Sequence, residues 1–248
     1  MAGLNRSWCV VENFVKPDLV QRMIDDIHLA ELSCAQIQKL NGIPNTEGTV
    51  HHLIGQGHPS FMEYLNSFEQ LRETVEDYLQ GRFILHSFGG NILRKGESYA
   101  NTIHRDIRSF RDGSPMVVNT ILTLDDFTSD NGSTWIMPYE QRDKPSEEYF
   151  AGNAVQMTAP AGSVILFNSN LWHRAGENKT DEPRRSITPM FSRPFVKPGF
   201  DYCRALGGDG GQYTPWMRQV LGYNARIPST LGEWYQPPDK RFYKGSQG

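Results

Sequence analysis

The second half of the chain consists of short apolar segments separated by turn residues, and this pattern restricts the fold more than any other feature. Apolar runs such as Phe83-Ile84-Leu85 and Val164-Ile165-Leu166-Phe167 are only a few residues long. Glycine and proline lie between such runs, as in Gly89-Gly90 and Ala159-Pro160-Ala161-Gly162. Short apolar runs bounded by turn residues are typical of strands in antiparallel sheets. We therefore predict a mainly β fold with flanking helices, a double-stranded β-helix or jelly roll.

The predicted elements form a single domain with three parts. Helices occupy about residues 16–80, the jelly-roll core about 82–198, and an aromatic and proline-rich segment 199–248. A first strand is predicted within residues 7–15, and the helix that follows opens at Pro17, with proline in its first turn. The apolar side of that helix comprises Leu19, Met23, Ile24, Ile27 and Leu32. A second helix is predicted at 60–80, and strands at 83–85, 91–94, 99–107, 116–124, 133–137, 155–159, 163–168 and 184–192, while 139–158 fits a helix or disorder equally well.

The composition excludes several classes of function. Of the 248 residues, 38% are hydrophobic, and the formal net charge is -3. The chain therefore lacks the basic excess of proteins that bind nucleic acid or anionic membranes. No apolar run approaches the length of about 18 residues that a membrane span needs, and the first residues lack a signal-peptide pattern. We expect a cytoplasmic protein whose partner is a small-molecule substrate, with no nucleic acid and no membrane.

His104 and Asp106 stand two positions apart in the segment Asn101-Thr102-Ile103-His104-Arg105-Asp106. If this segment is extended, side chains at positions i and i+2 leave the same face, so an imidazole and a carboxylate converge. Taken alone, the pair is also compatible with a solvated loop that holds an Arg–Asp contact. A second imidazole, that of His173, follows the strand predicted at 163–168. Two histidines and one carboxylate are the ligand set of non-haem Fe(II) oxygenases.

Arg184 and Ser186 form a second candidate pair. If both lie on the strand predicted at 184–192, their side chains share one face. A guanidinium group and a hydroxyl group in this arrangement could bind one carboxylate. Arg185 would point to the opposite face, where we expect a structural or surface charge.

Three cysteines and two adjacent histidines have simpler explanations. Cys9, Cys34 and Cys203 are too few and too scattered for a disulfide framework or a zinc cluster, so we expect reduced, partly buried thiols. Reduced thiols indicate a reducing compartment, and such a compartment also suits a ferrous ion. His51 and His52 are neighbours in the chain, and neighbouring side chains diverge on a strand or a helix. We therefore expect a structural or surface role for both, and the alternative is that one of them lines a pocket.

The C-terminal segment is rich in aromatic residues, including Trp216 and Trp234. We expect these residues to pack against the barrel or against a partner subunit, so a homodimer is possible on this pattern. The alternatives are a binding stripe for carbohydrate or peptide, and a segment that covers the mouth of a pocket.

Several motifs resemble those of the phytanoyl-CoA dioxygenase-like family of Fe(II)/2-oxoglutarate oxygenases, in the same order and at similar spacing. The resemblance covers about residues 8–200. The matching segments are Val11-Glu12-Asn13-Phe14-Val15, Leu93-Arg94-Lys95-Gly96, His104-Arg105-Asp106, Leu124-Asp125-Asp126-Phe127-Thr128, Asp130-Asn131-Gly132-Ser133-Thr134-Trp135-Ile136-Met137-Pro138, Trp172-His173-Arg174-Ala175-Gly176-Glu177-Asn178 and Pro183-Arg184-Arg185.

The resemblance implies a cupin-like jelly roll in which His104, Asp106 and His173 bind Fe(II) and act in catalysis. It also implies that 2-oxoglutarate and dioxygen take the remaining coordination positions, with ascorbate as an activator in vitro. Halogenating relatives replace the carboxylate at Asp106 with a small residue. Its presence here favours hydroxylation, with desaturation, epoxidation and ring closure left open. The expected substrate is a small-molecule metabolite, and the expected setting is specialised metabolism.

The resemblance also assigns the contacts to the co-substrate. Arg184 would bind the distal carboxylate of 2-oxoglutarate, and Ser186 would be a second donor. Asn101 stands where relatives carry an amide that contacts the co-substrate, and Thr134 would be a further donor.

One motif departs from the family and two other functions stay open. Pro138 is followed by Tyr139-Glu140-Gln141, whereas relatives commonly carry Gly-Ser-His, so no substrate can be carried over from a relative. The alternatives are a jelly-roll protein that binds a metal without using 2-oxoglutarate, and a catalytically silent binding or regulatory module. Arg184 and Ser186 argue against the first alternative, and the complete ligand set argues against the second.

Overall fold

A computed structural model of the chain describes residues 7–44, 48–97, 101–107 and 114–247. Within these residues nine strands form two antiparallel sheets, of six and three strands. The strands are β1 (Trp8–Val11), β2 (Thr49–Val50), β3 (Ile84–Leu93), β4 (Val117–Thr123), β5 (Thr134–Ile136), β6 (Val155–Gln156), β7 (Val164–Asn168), β8 (His173–Ala175) and β9 (Arg184–Ser192). The larger sheet has the order β1-β7-β4-β9-β3-β2 and the smaller one the order β6-β5-β8. The predicted mainly β fold is confirmed.

Helices accompany the two sheets. They are α1 (Pro17–Leu40), α2 (Pro59–Ser67), α3 (Arg72–Leu79), α4 (Glu147–Asn153), α5 (Tyr202–Leu206), α6 (Pro215–Val220) and α7 (Leu231–Trp234). The buried side of α1 includes Met23 and Ile27, but Leu32 is 68% exposed, so its predicted place on that side is wrong. The helix predicted at 60–80 is also divided, because a 3-10 turn at Phe68–Leu71 separates α2 from α3.

β3 differs most from its prediction. The sequence pattern predicts two strands separated by Gly89-Gly90, but β3 continues through both glycines. Gly90 faces the helices, where a Cβ atom would lie 2.7 Å from Ile27 Cδ1 and 3.2 Å from Leu53 Cδ1. The glycine therefore marks a close approach between helix and strand rather than a turn.

One predicted strand is replaced by a single bridge, and the segment 139–158 contains a helix, which is one of its two predicted alternatives. Residues 101–107 form no strand but make one bridge, between His104 and His173, and residues 98–100 lie outside the described part of the chain. The charged excursion at 139–158 contains helix α4, whose first turn is capped by Ser146 Oγ, which accepts a hydrogen bond from the Tyr149 backbone N–H. Strand β8 was not predicted, because three residues show too little alternation to identify a strand.

The C-terminal segment packs against the rest of the chain only in part. Trp216 is buried, and its indole N–H donates a hydrogen bond of 3.1 Å to the carbonyl of Leu65. Tyr223 is also buried. Trp234 and Tyr235, in contrast, are 62% and 76% exposed in the single chain. The prediction that the aromatic tail packs on the barrel therefore holds for its first half.

One core cluster joins all three parts of the chain. It contains Met23 of α1, Val118 of β4 and Val220 of α6, which supports the proposal of a single domain. The three cysteines are free and partly buried, as predicted, and burial raises the pKa of the Cys203 thiol to about 12. Among the residues that the structure describes, no helix is both long and apolar enough to cross a bilayer.

Candidate active site

A cavity of about 370 Å³ is lined by residues of both sheets. β3, β4 and β9 contribute from the larger sheet, and β5 and β8 from the smaller one. Alternate residues of β9 line the cavity, namely Arg184, Ser186, Thr188 and Met190. Residues of the other face of β9, such as Ile187 and Phe191, belong to the core on the helix side. The period of two along a strand thus separates cavity from core.

His104, Asp106 and His173 form a cluster in this cavity. Their potential ligand atoms all lie within 4.8 Å of one another. His104 Nε2 lies 3.7 Å from Asp106 Oδ1, and His173 Nε2 lies 3.5 Å from Asp106 Oδ2. The structure therefore brings together the three residues that the sequence motif selects.

The two histidines are joined through the main chain. The His104 N–H donates to the His173 carbonyl at 3.0 Å, and the His173 N–H donates to the His104 carbonyl at 2.9 Å. Residues that exchange both backbone hydrogen bonds lie directly opposite each other and project their side chains to the same side. This pairing, rather than a strand at 99–107, places the two imidazoles side by side.

The orientation of both rings is fixed in the same way. His104 Nδ1 lies 2.7 Å from the carbonyl of Thr102, and His173 Nδ1 lies 3.0 Å from the carbonyl of Leu171. A carbonyl can only accept a hydrogen bond, so Nδ1 carries the proton in each neutral ring. Nε2 then carries no proton and faces Asp106. Its free electron pair is the one with which a neutral histidine binds a metal.

Electrostatics favour this neutral form at His173. The side chain is buried, and burial lowers the pKa of His173 below its ordinary value, although Asp106 acts in the opposite direction. Metal binding requires deprotonated imidazole nitrogen, so burial prepares His173 for this role.

Asn119 and Ser169 hold Asp106, and neither was identified from the sequence. The Asn119 amide donates a hydrogen bond to Asp106 Oδ2, and Ser169 Oγ donates to Asn119 Oδ1 at 2.7 Å. Both side chains are buried. Because the serine occupies the amide oxygen, the amide nitrogen must face the carboxylate. A sequence signal existed for Asn119, which is a polar residue inside the apolar strand β4.

Arg184, Ser186 and Thr134 lie in the same cavity and are all buried. Arg184 Nη1 donates to Ser186 Oγ at 3.2 Å, and Nη2 donates to the carbonyl of Gly132 at 2.7 Å. The guanidinium group also stacks over the Phe127 ring, 4.6 Å from its centroid. Arg184 and Ser186 therefore share the face that the sequence pattern predicts, and their binding role stays a prediction.

Arg185 points to the other side of the sheet, as predicted. Its side chain forms two hydrogen bonds with Asp125, from Nε at 2.9 Å and from Nη2 at 2.8 Å. Its backbone N–H donates to the same carboxylate at 2.6 Å. The prediction of a structural charge at Arg185 is confirmed.

Asn101 does not belong to the described lining of the cavity. Its Oδ1 atom is buried and has no hydrogen-bond partner among the residues that the structure describes. Residues 98–100, which precede it, lie outside that description. The predicted contact of Asn101 with a co-substrate stays a prediction.

His51 and His52 both line the cavity, so the expectation of a structural or surface role is corrected. β2 pairs with β3 through Thr49 opposite Asn91 and Val50 opposite Gly90. This pairing carries the two residues that follow Val50 to the edge of the cavity. Divergence of neighbouring side chains does not exclude them, because His52 has a left-handed backbone conformation with φ of 54°.

The segment that departs from the family pattern lies beside the ligand loop rather than in the cavity. Glu140 accepts a hydrogen bond from the Asn168 amide, and the Gln141 carbonyl accepts one of 3.0 Å from the Trp172 indole N–H. The Arg105 guanidinium stacks over the same indole at 4.4 Å. A second hollow is lined by Arg105, Glu140, Gln141, Arg142 and Asn170. The departure therefore changes the outer surface next to His173.

Two relatives show what kind of protein this chain is similar to. The uncharacterized protein Rv1501 of Mycobacterium tuberculosis is 39% identical over 181 residues, which cover 72% of this chain and 66% of Rv1501. Dioxygenase af480 of Aspergillus fumigatus is 27% identical over 174 residues, which cover 66% of this chain and 48% of af480. The chain thus spans less than two thirds of the length of these relatives.

A solved structure has the same fold. The crystal structure of EctD from S. alaskensis with 2-oxoglutarate and 5-hydroxyectoine superposes with a TM-score of 0.61 at 20% identity. The superposition covers 77% of this chain and 74% of EctD. The predicted jelly-roll fold is confirmed.

The family model for phytanoyl-CoA dioxygenase (PhyH) matches residues 8–186. The match covers well over half of the chain and includes the three clustered residues together with Arg184 and Ser186. The family expected from the sequence motifs is confirmed. The chain therefore belongs to the phytanoyl-CoA dioxygenase family of dioxygenase enzymes.

Proposed function

We propose that the protein is an Fe(II)- and 2-oxoglutarate-dependent dioxygenase that hydroxylates a small-molecule metabolite. One observation carries the proposal: the cluster of His104, Asp106 and His173 shares a cavity with Arg184 and Ser186. A metal site and a carboxylate-binding pair are the two parts that such an enzyme needs. The dioxygenase name of af480 and the 2-oxoglutarate in the EctD structure support it further.

The donor set of the cluster fits Fe(II). Two imidazole nitrogens and one carboxylate suit a divalent iron that must change its oxidation state, whereas thiolates would select other metals. Each imidazole is oriented by a main-chain carbonyl, and Asp106 is oriented by Asn119. Bound Fe(II) would supply the oxidising chemistry, in which 2-oxoglutarate and dioxygen are converted to succinate and carbon dioxide while the substrate is oxidised.

Arg184 and Ser186 would bind the distal carboxylate of 2-oxoglutarate. Arg184 offers a planar, permanently charged group, and charge-assisted hydrogen bonds to a carboxylate are about twice as strong as neutral ones. The site is buried, so water does not compete strongly for the carboxylate. Thr134, which is also buried at the cavity, would add a hydroxyl donor.

Hydroxylation is the proposed outcome for two reasons. Asp106 retains the carboxylate that halogenating relatives lack, and the EctD structure was solved with a hydroxylated compound, 5-hydroxyectoine. We place the reaction in specialised metabolism and in the cytoplasm, with a small molecule as the partner. Asn101 is proposed as a further contact to the co-substrate.

The first experiment measures succinate formed from 2-oxoglutarate by the purified protein with ferrous iron, ascorbate and air. Slow formation of succinate without an added substrate is expected, and His173→Ala should reduce it at least a hundredfold, because one of three metal ligands is lost. Mn(II) binding under anaerobic conditions gives a second measurement that does not depend on turnover.

The matched control is His28→Ala, which removes a histidine on the outer side of α1 that lies 3.9 Å from Glu31. This variant should form succinate and bind Mn(II) as the unmodified protein does. Mn(II) binding that is equal in the His173→Ala variant would disprove the ligand role of His173. A protein that binds neither Mn(II) nor 2-oxoglutarate would overturn the proposed function.

A further inference from the structure

Part of the cavity wall has no role in the proposed function. It lies at the β2–β3 edge of the larger sheet. We call it the edge wall, and it consists of Thr49, His51, His52, Ser87 and Asn91. Every one of these side chains can donate or accept a hydrogen bond. A wall of this kind is suited to recognising polar groups of a ligand.

His52 is held firmly in the edge wall. Its φ of 54° is a conformation that non-glycine residues rarely adopt, and it persists only where the surroundings enforce it. The imidazole stacks on the Phe200 ring, with 4.4 Å between centroids and 17° between planes. His52 Nδ1 also lies 3.2 Å from the Tyr202 hydroxyl. Residues of the C-terminal segment therefore fix this ring against the cavity.

The hydrogen bond with Tyr202 determines what His52 can offer a ligand. Burial raises the pKa of Tyr202 and lowers the pKa of His52, so the phenol keeps its proton and the imidazole is neutral. His52 Nδ1 shares a hydrogen bond with the phenol, which leaves Nε2 to contact a bound molecule. Nε2 donates when the phenol donates to Nδ1, and it accepts when Nδ1 donates to the phenol. A hydroxyl group of a ligand can pair with either form, because it both donates and accepts.

The edge wall contains no permanently charged side chain. In the described lining of the cavity the charged residues are Asp106 and Arg184, and the proposed function uses both. Burial also lowers the pKa of His51, which keeps this second imidazole neutral. His51 is exposed and the other side chains of the wall are half-buried. An ionised group of a ligand would lose part of its hydration there without gaining an opposite charge. Hydroxyl groups, which donate and accept, match the wall instead.

We propose that the edge wall binds a neutral, hydroxyl-bearing part of the substrate, with His52 as the residue that sets this specificity. The proposal rests on the proposed function, because it assumes that the oxidised carbon lies near the metal cluster. His52 would exchange a hydrogen bond through Nε2 with a hydroxyl group, while Ser87 and Asn91 contact neighbouring hydroxyl groups.

The test compares probes that share one scaffold and differ in charge. Methyl glucoside is neutral, glucuronate is anionic and glucosamine is cationic, and trehalose provides a larger neutral probe. Binding is measured by calorimetry and thermal shift with the protein alone and with the protein that holds Mn(II) and 2-oxoglutarate. We expect the better neutral probe to bind at least tenfold more tightly than either charged probe. Neutral probes that bind no better than the charged ones overturn the proposal.

Variants of His52 identify the residue responsible. His52→Asn tolerates the left-handed backbone, but its polar group does not reach as far as Nε2 of the imidazole. It should weaken binding of the neutral probe about three- to tenfold, as expected for one hydrogen bond. Tyr202→Phe should weaken it in the same direction by releasing the ring. His58→Asn is the matched control, because His58 lies 3.4 Å from Asp26 outside the cavity, and its affinity for the probe should not change. Equal affinity in His52→Asn and His58→Asn would remove His52 from the specificity role.

Failure of this proposal and failure of the proposed function give different results. Binding of Mn(II) and 2-oxoglutarate without any probe tests the proposed function alone. Binding of the probes to the unloaded protein tests the edge wall alone. His52→Gly removes the ring and relieves the backbone conformation. Lost probe binding with an undiminished melting temperature in this variant shows that the loss is not caused by unfolding.

Discussion

At the scale of single residues, Asn119 links the metal cluster to the interior of the larger sheet. It donates to Asp106, which would bind the metal, and accepts from Ser169. A carboxylate that binds a metal is oriented by such partners, and their loss commonly costs about 10–100-fold in metal affinity. We expect Asn119→Leu, which keeps the side-chain size but not the amide, to weaken Mn(II) binding within this range. Anaerobic titration with a metal-competing chelator measures the change.

Ser169→Ala provides the graded comparison. It leaves the amide in place but removes the donor that fixes its orientation, so the loss of Mn(II) affinity should be smaller and in the same direction. The melting temperature of each variant, measured without metal, separates a metal effect from a folding effect. Unchanged affinity in both variants would mean that Asp106 is positioned by other groups.

Arg184 and Arg185 are neighbours in sequence with opposite environments. Arg184 lies at the cavity, whereas Arg185 is paired with Asp125 on the other face of β9. If Arg184 binds 2-oxoglutarate, Arg184→Gln should raise the dissociation constant of 2-oxoglutarate tenfold or more, since a hydrogen bond to a charged group contributes about 1.5–3 kcal/mol. Calorimetry with the Mn(II)-loaded protein provides the measurement.

Arg185→Gln is the control for that change. The affinity for 2-oxoglutarate should stay within about twofold of the unmodified protein, whereas the melting temperature should fall, because a half-buried ion pair with Asp125 is lost. Similar losses of 2-oxoglutarate affinity in both variants would show that the Arg184 effect comes from general disruption of β9.

At the scale of elements, the contact between α1 and β3 depends on Gly90. A Cβ atom at this position would lie 2.7 Å from Ile27 Cδ1 and 3.0 Å from the carbonyl oxygen of Ser186. Overpacking of a well-filled core costs about 1–3 kcal/mol. We therefore expect Gly90→Ala to lower the free energy of unfolding by this amount, as measured by urea denaturation.

The control for this substitution is Gly152, near the end of α4, where a Cβ atom would meet nothing within 4 Å. Alanine is favoured over glycine in a helix by about 0.5–1 kcal/mol, so Gly152→Ala should leave stability unchanged or raise it. An equal destabilisation by both substitutions would contradict the role assigned to the α1–β3 contact.

The elements also show where sequence patterns are insufficient. The spacing of apolar residues in the chain correctly predicts β4 and β7, because each is a mainly apolar run bounded by turn residues. The same rules interpret Gly89-Gly90 as a turn, although the residue that makes glycine necessary, Ile27, lies far away in the sequence. Close packing between distant segments leaves no local signal.

At the scale of the whole molecule, some residues of the site can be predicted from local sequence motifs, whereas others are positioned only by contacts between distant segments. His104, Asp106, His173 and Arg184 were identified because their chemistry and order form a motif. For His52 the sequence favours a structural or surface role over lining a pocket, because its position depends on the pairing of β2 with β3 and on Phe200 and Tyr202 from the C-terminal segment. The wall that we assign to the substrate is therefore assembled by the tertiary fold.

The backbone bridge between His104 and His173 has a consequence for the entropy of metal binding. Closing a loop between two distant ligands has an entropic cost that grows with the logarithm of loop length. Here the two reciprocal hydrogen bonds close that loop through the main chain, without a contribution from the metal. A metal that enters the site meets two preorganised imidazoles, so its affinity is not reduced by the conformational freedom of the long segment between them.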